Sequence, residues 1–181
     1  CGFIGSNFVR YLVDNTDLHP IILDKLTYSG NLDNLDSITK NNYTFINGDI
    51  CDQELVQNLF VKYEFVCLFH FAAESHVDRS IDGPKEFIRT NILGTFSLLE
   101  ASLAYYNKVK NNFRFIHIST DEVYGNLGES GFFTESTPYN PSSPYSATKA
   151  SSDHLVKSWG KTFGLPILIT NCSNNYGPYQ F

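Results

Sequence analysis

Two short stretches of this 181-residue chain have the most chemistry to offer: Ser119-Thr120-Asp121-Glu122-Val123-Tyr124-Gly125 and Tyr145-Ser146-Ala147-Thr148-Lys149. A Tyr and a Lys four positions apart share one face of a helix, where the ammonium lies near the phenol. A neighbouring cation favours phenolate and is expected to lower the Tyr145 pKa from about 10 toward neutrality. Tyr145 would then take the proton of an alcohol being oxidised, a task that needs only Thr120, Lys149 and a nicotinamide beside it. That task leaves the adjacent carboxyls Asp121 and Glu122 unused. Next to a new carbonyl, one carboxylate can remove the acidified proton and a second, protonated carboxyl can help a hydroxyl leave as water. Thr120, Asp121, Glu122, Tyr145 and Lys149 together therefore read as oxidation coupled to dehydration. A plainer reading makes Asp121 a turn cap and Glu122 a solvated side chain, and Tyr-x-x-x-Lys is a spacing that many helices contain by chance.

Such a set needs a strand before the first stretch and a helix beneath the second. Residues 113–118 form an apolar-leaning run that reads as a buried parallel strand, and strand ends are where open α/β sheets place ligands. Ser142-Ser143-Pro144 starts a helix carrying Tyr145, Lys149, Leu155 and Val156. Between them, residues 125–144 are rich in Gly, Ser, Pro and Glu, a loop long enough to be a functional cover.

Upstream, the chain reads as the support of a dinucleotide. Gly2 and Gly5 are three apart, and Phe8, Val9, Leu12 and Val13 follow with the period of an amphipathic helix. Such glycines let the backbone approach a pyrophosphate, whose charge the helix N-terminus carries. Alone, the pair also fits an ordinary helix start. Residues 19–24 then form a short apolar strand ending in Asp24, nineteen residues after Gly5. That is near the spacing at which an acid meets the adenosine ribose hydroxyls, although an Asp there also serves as a turn former. An acid at this point favours NAD over NADP, whose 2′-phosphate it would repel.

Residues 25–36 are polar and turn-rich, with Gly30-Asn31 marking a turn. Residues 43–47 read as the next strand, followed by Gly48-Asp49-Ile50. Asp49 either receives the adenine amino group or caps a helix over residues 53–62, and both readings stay open. Residues 65–71 are a continuous apolar strand of the kind covered on both faces. It runs into Ala72-Ala73-Glu74-Ser75-His76, where two alanines keep a crevice open and His76 either touches substrate or is simply solvated. From Pro84 a long amphipathic helix is expected, with Phe87, Ile88, Ile92, Leu93, Phe96, Leu99 and Leu103 on or near one face. Asn91 lies within it, placed to brace active-site backbone. Residues 165–170 are the last clear strand, and residues 171–181 contain Asn174-Asn175-Tyr176-Gly177-Pro178. Strands alternate with helices throughout, which predicts an α/β fold with a doubly wound parallel sheet.

Composition narrows the classes. The net charge of −6 and the absence of a basic run argue against a nucleic-acid face. No segment approaches about 18 consecutive apolar residues, so none is expected to span a membrane, and no signal peptide is visible. The four cysteines, Cys1, Cys51, Cys67 and Cys172, form no CxxC pair, which favours neither a metal site nor a disulfide framework and fits a reducing cytosol. Cys67, inside an apolar strand, reads as a small buried hydrophobe.

Taken together, these motifs resemble the dTDP-glucose 4,6-dehydratases of the extended short-chain dehydrogenase superfamily. The resemblance is carried by Gly-Phe-Ile-Gly-Ser-Asn at 2–7, Leu-Asp-Lys-Leu-Thr-Tyr at 23–28, Gly-Asp-Ile at 48–50 and Phe-Ala-Ala-Glu-Ser-His-Val-Asp-Arg-Ser at 71–80. Ser-Thr-Asp-Glu-Val-Tyr-Gly at 119–125, Tyr-Ser-Ala-Thr-Lys at 145–149 and Asn-Cys-Ser-Asn-Asn-Tyr-Gly-Pro at 171–178 extend it over essentially the whole chain. The Asp-Glu pair and the Asn-Asn-Tyr-Gly-Pro segment are its specific parts, whereas the glycines and Tyr-x-x-x-Lys belong to the superfamily at large.

The resemblance implies dehydration of dTDP-glucose to its 4-keto-6-deoxy derivative, a step of deoxysugar biosynthesis, by a cytoplasmic homodimer that keeps NAD bound. Thr120 would hydrogen-bond the sugar C4 oxygen, Tyr145 would be the base for its oxidation, Asp121 the acid at C6 and Glu122 the base at C5. Gly2, Phe3, Ile4, Gly5, Asp24, Lys25, Leu26, Thr27, Asp49, Ile50, Phe71, Ala72, Ala73, Ser75, Thr90, Tyr145, Lys149 and Asn175 would line NAD. Ser75, His76, Thr120 and Asn174 would face the substrate, and no metal is called for. Residues 1–181 would be an NAD-binding domain truncated at both ends, without its first strand and most of its substrate portion, which would start near 171–181. The chain alone is accordingly expected to fold poorly and to be inactive. Other readings are a UDP- or CDP-glucose 4,6-dehydratase, a nucleotide-sugar 4-epimerase or decarboxylase, and a catalytically silent NAD-binding sensor.

Overall fold

The structure is a computed structural model that describes residues 1–110 and 112–180. The chain divides into two compact units, Cys1–Ile50 with Asn174–Phe181, and Cys51–Ser173.

In the first unit, helix α1 (Phe3–Asn15) leads to strand β1 (Ile21–Asp24), which pairs in parallel with β2 (Thr44–Asn47), Ile21 opposite Thr44 and Asp24 opposite Asn47. β1 begins two residues later than the apolar run suggests. Pro20 has no N–H to give to a ladder, and it contributes only its carbonyl, which accepts from Thr44 N at 2.9 Å. Cys1, Ile22, Leu35 and Ile38 form the buried core, with Val9, Val13, Leu26, Tyr43 and Phe45 packed against it.

The second unit is built on a three-stranded parallel sheet of order β3-β4-β5: Cys67–His70, Arg114–Thr120 and Ile167–Cys172. Its helices are α2 (Gln53–Lys62), α3 (Val77–Asp82), α4 (Pro84–Phe87), α5 (Thr95–Val109) and α6 (Pro144–Phe163). β5 repeats the proline effect: Leu165 drops into the core, Pro166 cannot donate, and the strand starts at Ile167. β4 and β5 then run on together so that Thr120 lies opposite Cys172. The ladder therefore reaches the residue that carries the candidate chemistry. Cys67 is only half-buried, not the buried hydrophobe expected, and burial still raises its thiol pKa.

The helix expected from Pro84 is not one regular helix. A π-helical stretch, Ile88–Gly94, separates α4 from α5. Ile88 and Leu93 are exposed where the apolar pattern would bury them, and the wider turn shifts the register of the residues that follow it, so that Asn91 turns inward, 2% exposed. Asn91 uses both ends of its amide. Its Oδ1 accepts from Glu74 N at 2.9 Å, and its Nδ2 donates to Glu74 O at 3.0 Å and Thr148 Oγ1 at 2.9 Å. The backbone following β3 is thus braced against α6, as the sequence led us to expect.

Candidate active site

The site in the second unit starts where β4 ends. Beyond Thr120 the backbone tightens into a 3-10 turn, Asp121–Tyr124, capped by the Thr120 side chain, whose Oγ1 accepts from Glu122 N at 3.2 Å. That bond sets the Thr120 rotamer, and its hydroxyl proton faces Asp121 Oδ1 at 3.4 Å. The turn cap is therefore Thr120, and not Asp121 as the plainer reading has it. Gly125 closes the turn at φ +84°, and a Cβ there would overlap the carbonyl oxygen of Asn140. A residue with a side chain could not let the 125–144 loop come this close.

α6 brings the second half. Ser143 caps it in a reciprocal box with Ser146, and Pro144 occupies its first turn. This pins the helix start one residue before Tyr145, whose side chain is 8% exposed and meets Phe87 edge-on at 6.4 Å between ring centroids. One turn on, Lys149 is buried and its Nζ donates to the Ile118 carbonyl at 2.8 Å. Thr120, Asp121, Glu122 and Tyr145 lie together at the end of β4, whereas Lys149 reaches the same strand at Ile118 and not at the phenol.

The electrostatics differ from the expectation. Tyr145 is not shifted toward neutrality; burial, the Glu122 charge and, more weakly, Asp121 and Asp153 push its phenol up to about 12, opposed by hydrogen bonding with Thr120. Lys149 spends its ammonium on a β4 carbonyl, and burial lowers its own pKa to about 8 against the opposing charge of Asp153. Glu122 is raised by burial and by the charge of Asp121. In this state the site holds a neutral phenol, and activation of Tyr145 requires that its hydroxyl meet a partner that favours the anion.

Beneath these residues lies a polar network that the motifs did not reveal. Asp153, fully buried, accepts at Oδ2 from Tyr139 Oη at 2.8 Å and Asn171 Nδ2 at 3.2 Å, and its Oδ1 lies 3.2 Å from His117 Nε2. The same Asn171 amide donates to Thr120 O at 3.2 Å, and its Oδ1 accepts from Tyr124 Oη at 3.2 Å. A signal was available: Tyr145, Lys149 and Asp153 repeat at helical spacing, and His117 interrupts an otherwise apolar strand face. Ser75 and His76 lie in the exposed segment before α3, with His76 at its N-cap, and Phe71, Ala72, Ala73 and Thr90 are half-buried.

The first unit contains the glycine turn. α1 starts directly after Gly2, with no side-chain cap and no acidic residue in its first turn, so its leading amides are open to an anion. A Cβ on Gly2 would press on Ser29 O at 3.3 Å, so the turn has room for backbone only. Asp24 Oδ1 accepts from Leu26 N at 2.8 Å, and Gly30 lets the chain fold over it, since a Cβ there would come within 2.9 Å of that oxygen. Asp49 pairs with Lys25 at 3.1 Å, and the cap of α2 is Asp52, which accepts from Leu55 N at 3.0 Å. The helix-cap reading of Asp49 is therefore set aside. Ile50 is buried, Phe3, Gly5 and Leu26 are half-buried, and Ile4, Thr27, Asn174 and Asn175 are exposed. An uncapped helix start, a glycine cradle and a strand-end acid together fit a dinucleotide's pyrophosphate and ribose.

A family model described as GDP-mannose 4,6 dehydratase matches residues 1–181. The chain belongs to that family. Among curated members it is 54% identical to the dTDP-glucose 4,6-dehydratase of Salmonella typhimurium, over 99% of this chain and 54% of the relative. It is 55% identical to the dTDP-glucose 4,6-dehydratase of Neisseria meningitidis serogroup B, over 99% of this chain and 52% of that protein. The chain spans about half the length of the curated relatives it matches. A solved dTDP-glucose 4,6-dehydratase from Streptomyces venezuelae, with NAD bound, superposes with a TM-score of 0.89 at 45% identity, covering 99% of this chain and 55% of that one. A UDP-glucose 4-epimerase from Thermotoga maritima reaches 0.88 at 31% identity, covering 99% and 55%. The parallel α/β fold of the dehydratase family is thus established for this chain.

Proposed function

We propose that this chain carries the cofactor-binding and acid/base portion of an NAD-dependent dTDP-glucose 4,6-dehydratase, which forms dTDP-4-keto-6-deoxyglucose for deoxysugar biosynthesis. The observation that supports the reading is the adjacency of Asp121 and Glu122 to Thr120 and Tyr145 at the end of β4, with Lys149 anchored to the same strand at Ile118. The names of relatives more than half identical supply the substrate.

The glycine turn, Asp24 and Asp49 are assigned to the adenosine half of NAD, and Tyr145 and Lys149 to its nicotinamide half. NAD held there would supply the hydride chemistry, acceptance from C4 and return to C6 as a proton goes back to C5. The chain's own residues handle the protons. Thr120 orients the C4 oxygen and Tyr145 takes its proton. The C4 ketone acidifies the C5 proton, which Glu122 removes; its raised pKa makes it a stronger base once ionised. Asp121 gives a proton to the C6 hydroxyl as it leaves, which requires that the charge it exerts on Glu122 in this state be neutralised when substrate binds. An epimerase has no such use for the two carboxyls.

A cytoplasmic location and a homodimer belong to the same reading. Four free cysteines fit the first, and exposed Ile81, Ile88 and Leu93 on and beside the α4–α5 helical run fit the second.

Full-length protein supplied with dTDP-glucose should yield the 4-keto-6-deoxy product, followed by its absorbance in alkali. Glu122→Gln should form no product yet still reduce bound NAD in a single turnover. Near-normal product formation by that variant would refute the role of Glu122.

A further inference from the structure

Asp153 lies outside every motif that marked the site, yet it is the point where the site's supports meet. It sits one turn beyond Lys149 and two beyond Tyr145 on α6. Its Oδ2 takes Tyr139 Oη at 2.8 Å and Asn171 Nδ2 at 3.2 Å, and Asn171 in turn holds the Thr120 carbonyl at 3.2 Å. A carboxylate with no exposure is costly unless it is paired and hydrogen-bonded, so its retention here calls for a reason. We propose that Asp153 is a positioning residue of the active site, which aims Thr120 through Asn171 and serves as the buried counter-charge of Lys149.

This inference rests on the reading of Thr120, Tyr145 and Lys149 as the alcohol-oxidising set. The geometry supports two separable effects. Strand β4 is held at two carbonyls, Ile118 by Lys149 and Thr120 by Asn171, so loss of the second lets the Thr120 hydroxyl drift while the first remains. The charge effect acts on the helix itself. The titratable groups around Lys149 and Asp153 are His70 on β3, His117 on β4, Cys172 on β5, Tyr124 in the 3-10 turn, Tyr139 in the loop, and, on α6, Tyr145 and Lys157, whose ammonium donates to Tyr139 Oη at 2.9 Å. Burial lowers both histidines, and Asp153, ahead of Cys172, is the larger negative charge that opposes the desolvation of Lys149. Burial alone would raise the Asp153 carboxyl, and hydrogen bonding with His117 first, then with Tyr139, brings it below its usual value. Asp153 also helps raise Tyr145, so its loss lowers the pKa of both Tyr145 and Lys149.

The test uses full-length protein and two variants. In Asp153→Asn, which keeps shape and hydrogen bonding, both limbs of the pH profile for C4 oxidation should move to lower pH by about 0.5 unit or more. A ¹³C NMR titration of the Lys149 side chain should show its midpoint falling in the same direction, whether or not the protein turns over. In Asn171→Ser, which cuts the relay but leaves the charge, kcat for C4 oxidation should fall about tenfold or more at unchanged KM and unchanged limbs. A residue that merely fills space would lower the yield of folded protein and leave the limbs in place. An unmoved Lys149 midpoint in Asp153→Asn overturns the proposal; should that variant not fold, parent-like kcat in Asn171→Ser overturns it. Failure of the parent protein to act on dTDP-glucose would instead count against the dehydratase reading.

Discussion

The Lys149 ammonium donates to the carbonyl oxygen of Ile118 over 2.8 Å, tying the helix that carries Tyr145 to the strand that carries Thr120. The cation the motif would place against the phenol is therefore committed to the backbone of β4. Tyr145, pushed up to about 12 by burial and the Glu122 charge, is a protonated phenol at neutral pH. Tyr145→Phe should lower the rate of NAD reduction by about 10²–10⁴-fold, the usual worth of a general base. The rate in the parent protein should rise with pH through the neutral range. A stopped-flow trace at 340 nm (the NADH absorbance) checks both, and a flat pH profile would point to another base.

The two carboxyls are coupled, because Asp121 raises Glu122 by its charge as well as by sharing a half-buried turn. Glu122 must be ionised to take the C5 proton, so water loss should fail as pH drops through its raised pKa. Asp121→Asn should slow product formation and, by removing the neighbouring charge, move that acid limb to lower pH. Measuring C5 solvent deuterium exchange against pH in both proteins decides the point; an unmoved limb would mean that burial alone sets Glu122.

Asn91 supplies three hydrogen bonds from inside the π-helical stretch. Asn91→Leu should leave the Glu74 amide, the Glu74 carbonyl and the Thr148 hydroxyl short of partners, at a cost of about 1–3 kcal/mol for each buried group left unsatisfied. The melting temperature of full-length protein should fall by several degrees, and hydrogen exchange should rise first in the segment after β3. Unchanged exchange there would show that water replaces the amide.

His70 and His117 are held neutral: burial pushes His70 well below its usual value and lowers His117 to about 4, with the Lys149 charge adding to both. Between pH ~6.5, where an unfolded histidine titrates, and the lower folded values, the unfolded chain binds protons that the folded chain refuses. Stability should therefore be greatest above pH ~6.5 and decline as pH falls through that window. Denaturant midpoints from pH 7 to 4.5 measure this, and His117→Gln should flatten the slope. An equal slope in the variant would assign the acid sensitivity to other groups.

Gly125 is a purely geometric requirement. With φ at +84° and the Asn140 carbonyl where a Cβ would stand, Gly125→Ala should displace the 125–144 loop and destabilise the protein by more than the ~1 kcal/mol that such a change gains where the backbone permits it. Limited proteolysis should then cut within that loop sooner than in the parent.

Local order determined what the sequence could show unaided. Short apolar runs marked the five strands of the described residues, the helical spacing of Tyr145 and Lys149 placed them on one face, and Ser143-Pro144 announced the start of their helix. The carboxyl pair after Thr120 pointed to dehydration because those residue types are adjacent in the chain. Contacts between elements were decided only by tertiary structure. The direction of the Tyr145 shift depends on burial and on where Lys149 spends its proton, and neither is a property of spacing. The π-helical turn that swings Asn91 inward is invisible to a 3.6-residue period, because one widened turn moves every following side chain out of phase. Asp153, Asn171 and His117 come from three separate elements, and only the parallel pairing of β4 with β5 beneath α6 lets one buried carboxylate gather them.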